Sequence, residues 1–443
     1  MKRLLLSSAA LILAVGAAAG ASYPQPGMTE LPSPLDLRGA IGYALDHNFS
    51  ILQARETIRF QEGVIVQVKG QAIPNIGTMS QWQRNEPSIS EIYPPTNSLW
   101  SVELKATQNL FAGGGIHSAI QNAKLTRDAA AYDLQTTIDT ALLEVRTLFY
   151  NVLLAREKIR VEEENVRLYQ HQLDDTKNQF ETGTVSNFEV LRAKVYLANA
   201  EPALITARNS YRIAIEQLRQ SIGTPGSTPF PEVVGSLDFQ ITNFDPDTAI
   251  ESAHAHRPEL QKLDKLESAS DETVKTARSA FYPNLQAFGG YEWDGFGYAN
   301  STFGSSVSAN GWLFGLQSTW SIFDGRTTDG KVRQAKSQLE QARLAKASEE
   351  LEIDVEVRQS LSSLQEAQEL VTASQQTIEQ AAEALRLADA KFHAGSATQL
   401  DVLTSQVSLT QAKTDQLTAN YNYLVALANV RKAIGLSDAL VVP

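Results

Sequence analysis

The chain repeats itself, and that governs everything else it can do. "AIGYALDHN" (Ala40–Asn48) matches "AIESAHAHR" (Ala249–Arg257), and "AIPNI" (Ala72–Ile76) matches "FYPNL" (Phe281–Leu285), which aligns Pro74 with Pro283. Further on, Trp100 matches Trp312, "NLFAG" (Asn109–Gly113) matches "SIFDG" (Ser321–Gly325), Gly183 matches Gly395 and Gly223 matches Gly435. The offset is roughly 210 residues throughout, with a small insertion between Pro74 and Trp100 or between their partners. One structural unit is therefore made twice. The Pro-rich stretch "GTPGSTPFPEVVG" (Gly223–Gly235) joins the copies, which places a first repeat at residues 22–223, a linker at 224–246 and a second repeat at 247–443.

Each unit has the same internal order. A helix of roughly 20 residues comes first, at about 50–71 and 259–280, followed by Pro-Asn and alternating sequence. In "WSVELKATQNLF" (Trp100–Phe111), Trp100, Val102, Leu104 and Ala106 share one face, while Ser101, Glu103, Lys105 and Thr107 share the other. Period two with one oily side describes a strand. Strands are expected at about 75–86 and 99–111, and again at about 284–295 and 311–323, so each unit carries one β-hairpin. A very long helix then begins. In it a large apolar residue recurs every seventh position: Val145, Val152, Ile159, Val166, Leu173 and Phe180, then Val357, Leu364, Val371, Ile378, Leu385 and Phe392. Strict heptads sustained this far describe coiled-coil packing. Ala367, Ser374, Ala381 and Ala388 are small enough to allow close helix approach. From Gly114 to Phe180 the helix would span about 100 Å, and the return helix from Asn187 to Ser221 about 50 Å. Between them lie short breaks, "FETGTVSNFEVL" (Phe180–Leu191) and "FHAGSATQLDVL" (Phe392–Leu403), which put helical tips at 180–187 and 392–399. Pro202, inside the first return helix, should kink it or open a turn.

The termini and composition narrow the function. "MKRLLLSSAALILAVGAAAGAS" has a basic start, a short apolar run and a small-residue cleavage pattern, so residues 1–21 read as a signal peptide of an exported chain. There are no cysteines, which excludes disulfides and a lipid-bearing N-terminal Cys. A formal charge of −12 without a basic run argues against nucleic acid as a partner. The six histidines are His47, His117, His171, His254, His256 and His393. Only His254 and His256 are close, and a spacing of i,i+2 points them apart on a helix. No nucleophile–His–acid set, phosphate loop or zinc motif is present, so the chain reads as a non-enzyme with no cofactor and no metal.

Four strands cannot close a membrane barrel, and a sheet edge cannot face lipid. Either the hairpins form a soluble sheet, or several chains pool their strands. Strand length and Trp near strand ends favour pooling. At this point the chain resembles the TolC family of outer-membrane efflux proteins. The resemblance rests on the duplicated order of elements with "HRPEL" (His256–Leu260), "YPNL" (Tyr282–Leu285), "FDG" (Phe323–Gly325) and "AGSATQLDVL" (Ala394–Leu403). It implies a mostly α fold with a small β part. Duplicated coiled-coil hairpins and two transmembrane β-hairpins per chain would complete a 12-stranded β-barrel and a 12-helix α-barrel as a homotrimer. It further implies a barrel set in outer-membrane lipid, a long periplasmic extension, and docking to a periplasmic adaptor (a membrane fusion protein) and an inner-membrane pump. Gly183, Thr184 and Val185, with Gly395, Ser396 and Ala397, would be the adaptor-contacting tips. Glu189, Asp401, Phe180 and Phe392 would line the periplasmic gate, with Asp401 forming a carboxylate ring. The family's best-known member has a further acid where Thr404 stands and an Arg where Ala397 stands. The gate here should therefore rely more on packing around Phe180 and Phe392. The competing expectation is a soluble periplasmic coiled-coil protein of adaptor-like or structural kind.

Overall fold

The computed structural model describes residues 31–84, 86, 88, 96–298 and 306–436; the expected signal peptide lies outside the described residues. The first half runs α1 (Leu37–His47), α2 (Phe49–Lys69), β1 (Asn75–Arg84), β2 (Thr96–Ala112), α3 (Gly115–Glu181) and α4 (Asn187–Ser221). The second half repeats the order as α5 (Pro246–His256), α6 (Pro258–Ser279), β3 (Asn284–Tyr298), β4 (Ser306–Thr319), α7 (Thr327–His393) and α8 (Gln399–Ala433). Helices α3 and α7 are both 67 residues long, about 100 Å at 1.5 Å per residue. Helix α4 runs unbroken through Pro202, whose ring is exposed, so the turn expected there does not open.

Heptad positions supply the core. Val145, Val152 and Leu173 of α3 are buried, as are Val357, Leu364 and Val371 of α7. Two larger clusters gather near the middle of the molecule. One joins Ile41, Phe149, Leu153, Leu218 and Ile222; the other joins Leu260, Ile353, Val357, Tyr423 and Val430. The halves also grip each other. Asn122 of α3 donates to the Ala269 carbonyl of α6 at 2.6 Å, and Lys262 pairs with Asp133 at 2.6 Å.

Helices α1 and α5 are absent from the sequence reading, which starts each unit with one longer helix. Each short helix turns into the next at a single residue that ends one and starts the other, Asn48 in the first half and Arg257 in the second. The end of the return helix packs on this corner. Gly223 follows α4 with φ 79°, and a Cβ there would lie 2.1 Å from the His47 carbonyl oxygen, so only glycine fits. Gly435 occupies the matching place after α8, with φ 70°.

The strands form one antiparallel sheet in the order β1-β2-β3-β4. Strands β2 and β4 begin several residues before the alternation that marks them in the sequence, and β4 stops at Thr319, short of Phe323. Cross-strand pairing, not β-propensity, carries Ser98 and Ser308 into the ladder, opposite Gly297 and Gly295. The pairing register puts Trp82, Trp100, Leu104, Tyr291, Trp293 and Trp312 on one face. Gln81, Ser101, Glu103, Lys105, Glu292 and Asp294 fall on the other. Among the described residues, both outer strands, β1 and β4, have one unpaired edge. Among the described residues no helix is long and apolar enough to cross a membrane.

The helical tips as the candidate functional site

The far ends of α3 and α7 close in the same way. After α3, Gly183 has φ 77° and its N–H reaches the Phe180 carbonyl at 2.9 Å, while the Thr184 N–H reaches the Gln179 carbonyl at 2.9 Å. After α7, Gly395 has φ 74°, with Gly395 N–H to the Phe392 carbonyl and Ser396 N–H to the Lys391 carbonyl, both at 2.9 Å. This paired pattern terminates a helix on a left-handed residue, and it satisfies carbonyls that have no partner within the helix. Thr184 and Ser396 hydroxyls add bonds to the same two carbonyls, at 2.7 and 3.2 Å. Gly183, Thr184 and Val185 thus lie in the connection between α3 and α4, and Gly395, Ser396 and Ala397 in that between α7 and α8. Gly183, Thr184, Gly395 and Ser396 are exposed, and Val185 and Ala397 are half-buried.

The two tips differ where the chain starts back. Thr398 caps α8 with a reciprocal pair of bonds. The Thr398 N–H and hydroxyl both donate to Asp401 Oδ2 at 2.7 Å, and the Asp401 N–H points at the Thr398 hydroxyl. These hydrogen bonds hold the Asp401 carboxyl below its usual range, the backbone bond being the larger influence. Ser186, the matching residue before α4, makes no side-chain cap. Glu189, in the place of Asp401, turns instead to Arg192 three residues on, a pairing that Thr404 cannot offer Asp401. Arg192 also lies over the Phe188 ring at 5.7 Å. Of the two aromatics expected at the gate, Phe180 is 45% exposed, and Phe392 is half-buried with its ring edge-on to His393.

The structure brings the two tips side by side through residues that the sequence reading passed over. Buried Gln399 donates to Thr176 Oγ1 of α3 at 2.7 Å. Higher on the same seam, Thr410 donates to Asn165 at 3.2 Å and Lys413 pairs with Glu164 at 2.9 Å. Tyr169, Ala200 and Leu403 fill the space between them. "TQLD" (Thr398–Asp401) is a capping signature that the sequence does display. Gln399 and Thr176 have no such signal, because polar residues at a helix seam look like surface until the partner helix is placed. Among the described residues no group of three or more His, Asp or Glu could hold a metal ion.

Comparison with known proteins agrees with this architecture. The family model described as "Outer membrane efflux protein" matches residues 40–224 and 249–436, once per half. The outer membrane protein TolC of Escherichia coli (strain K12) is 26% identical over 321 residues, covering 68% of this chain and 62% of TolC, so the match spans less than two thirds of that relative's length. The outer membrane efflux protein BepC of Brucella suis is 24% identical over 413 residues, covering 88% of this chain and 84% of BepC. A crystal structure of CusC superposes with a TM-score of 0.76 at 17% identity, covering 93% of this chain and 96% of that one, a likeness of fold. The match favours the outer-membrane reading over a soluble, adaptor-like protein, and it places the sheet in the outer membrane with the helices reaching into the periplasm. A duplicated hairpin of 67-residue helices, a four-stranded sheet with an oily face and two family matches in tandem lead to one conclusion: the chain belongs to the outer membrane efflux protein family.

Proposed function

We propose that three copies of this chain close their sheets into a 12-stranded barrel and their long hairpins into a 12-helix tunnel. The assembly exports substrates, received from an inner-membrane pump, across the periplasm and outer membrane. The observation that carries this reading is the sheet. It has four strands, one apolar face and two unpaired edges, an arrangement that lipid does not tolerate until other strands cover those edges. A periplasmic adaptor docks at the tips through Gly183, Thr184 and Val185 and through Gly395, Ser396 and Ala397. Phe180 and Phe392 narrow the entrance.

Glu189 and Asp401 have unequal shares in the gate. Glu189 is neutralised by Arg192. Asp401 commits Oδ2 to its own helix and leaves Oδ1 for the lumen, so three copies form a weak cation ring. Purified protein in planar bilayers tests both levels. Discrete low-conductance steps are expected, and absence of any channel from wild type overturns the export reading. Divalent cation added on the helical side should block the current, and Asp401→Ala should relieve that block. Equal block in the two proteins removes the ring and leaves the channel.

A further inference from the structure

We propose that the membrane-facing side of the sheet carries a preformed groove for one acyl chain of a phospholipid from the leaflet nearer the helices. The proposal rests on the placement of the sheet in the outer membrane.

The row Ile76–Ala106–Gly289–Phe314 crosses all four strands, with its two smallest side chains in the middle and its largest at the ends. The neighbouring row, Leu104–Tyr291–Trp312, forms a wall along one side. That wall is fixed in shape. Tyr291 sits between Trp293, at 4.5 Å between ring centres, and Trp312, at 4.8 Å edge-on, and its hydroxyl bonds Asn310 at 3.0 Å.

Glycines elsewhere in the sheet show why the hollow matters. A Cβ on Gly295 would lie 2.0 Å from Trp100, and one on Gly315 would lie 2.8 Å from Phe288, so aromatic rings of this chain already cover both. A Cβ on Gly289 would meet nothing closer than 3.8 Å. Of these three glycines, Gly289 is the one that no ring covers. The depression around it is lined by Ile76, Leu104, Ala106, Tyr291, Trp293, Trp312 and Phe314, with no charged side chain. Adding strands beyond β1 and β4 extends the sheet in its own plane and leaves this face open.

Depth selects the occupant. Gly289 lies about 17 Å along β3 from Asn284, at about 3.3 Å per residue. With the strand tilt usual in membrane barrels, that is about 13 Å of height within an apolar band of about 25 Å. Ile76 is the second residue of β1, which brings the groove to the helical half of the band. A headgroup does not reach this depth, and a hydrocarbon chain does.

The test uses the full assembly extracted in mild detergent, washed extensively and examined by native mass spectrometry. Wild type should retain one phospholipid per chain. Gly289→Leu fills the hollow, and Phe314→Ala removes an end wall that is 87% exposed, so little packing within the chain is lost. Both should lose most of the retained lipid while keeping the assembly mass. Gly311→Leu, on the opposite face, should retain it. No retained phospholipid in wild type, detergent in its place, or equal retention in all four proteins overturns the groove. A wild-type chain that fails to sediment with the outer membrane overturns the membrane placement instead.

Discussion

The corner at Asn48 and the corner at Arg257 do the same mechanical work with different chemistry. Each residue ends a short helix and begins a longer one, and each is buried beneath the glycine that follows a return helix. Asn48 does this as a neutral group. Its oxygen accepts from the N–H groups of Ser50 and Ile51 at 2.9 and 3.2 Å, and its amide donates to the Ser221 carbonyl at 2.7 Å. Arg257 does it as a cation held by Glu259 at 3.1 Å and by Glu356, while Ser252 takes over the bond to the return helix through the Ile434 carbonyl at 3.0 Å. Burial opposes the Arg257 charge, yet the two carboxylates hold its pKa above the ordinary arginine value. Backbone geometry is what the duplication preserved, and any side chain that satisfies it will serve. Charge entered only one copy, so the two halves should respond differently to the same perturbation.

The largest expected effect is at the ionic corner. Arg257→Ala leaves Glu259 and Glu356 without their hydrogen-bonded cation, with Lys432 nearby at 3.9 Å from Glu356, and should cost about 3 kcal/mol. Asn48→Ala removes buried hydrogen bonds but strands no charge, and should cost about 2 kcal/mol. Thermal unfolding of the two variants side by side checks the order; equal losses would mean the charge contributes nothing beyond hydrogen bonding.

Acid should separate the corners next. Burial would raise the Glu259 pKa, but Arg257 outweighs it and holds the folded value below the ordinary 4.5. A depressed carboxylate contributes stability that is present above the unfolded pKa and is lost as pH falls through the folded one. Asp139 and Glu349 are raised, first by burial, and work in the opposite sense, gaining stability as they protonate. The clean observable is therefore a difference. Below about pH 4.5 the gap between wild type and Glu259→Gln should shrink, whereas the gap between wild type and Asn48→Ala should stay constant. Parallel behaviour of both variants would break the comparison.

The smallest effect is at the tips, where the halves also differ. Thr398→Ala should speed hydrogen exchange at the first amides of α8 several-fold, because it removes one side of a reciprocal cap. Ser186→Ala, before α4, should change little, since Ser186 makes no side-chain cap. Global stability should not move in either variant.

Much of this was readable beforehand, for identifiable reasons. Heptads announce themselves because each position has one job, and Val357 and Leu364 are buried as their spacing demands. The same rule fades along the helix. Ile378 and Leu385 are only half-buried and Phe180 is exposed, because one chain supplies only a two-helix hairpin there; the proposed trimer would supply the remaining neighbours. The glycine tips were legible because left-handed backbone favours one residue type. The Asp401 cap was written in the chain as Thr398 followed three residues later by an acid. The Gln399–Thr176 bond was not, since it depends on the distance between two helices, which no local pattern encodes. Helices α1 and α5 were missed because they are short and end within one residue of a second helix.

The open edges of the sheet have a consequence for the life of the chain before it reaches its place. Strand β4, "SVSANGWLFGLQST", contains no charged residue and no proline, and β1, "NIGTMSQWQR", contains a single arginine at its far end. Soluble proteins blunt such edges with lysine, proline or bulges. Here neither edge is blunted, so a lone chain in transit is adhesive to any strand it meets. Its yield should fall when its synthesis outpaces the rate at which proper partners and membrane take it up.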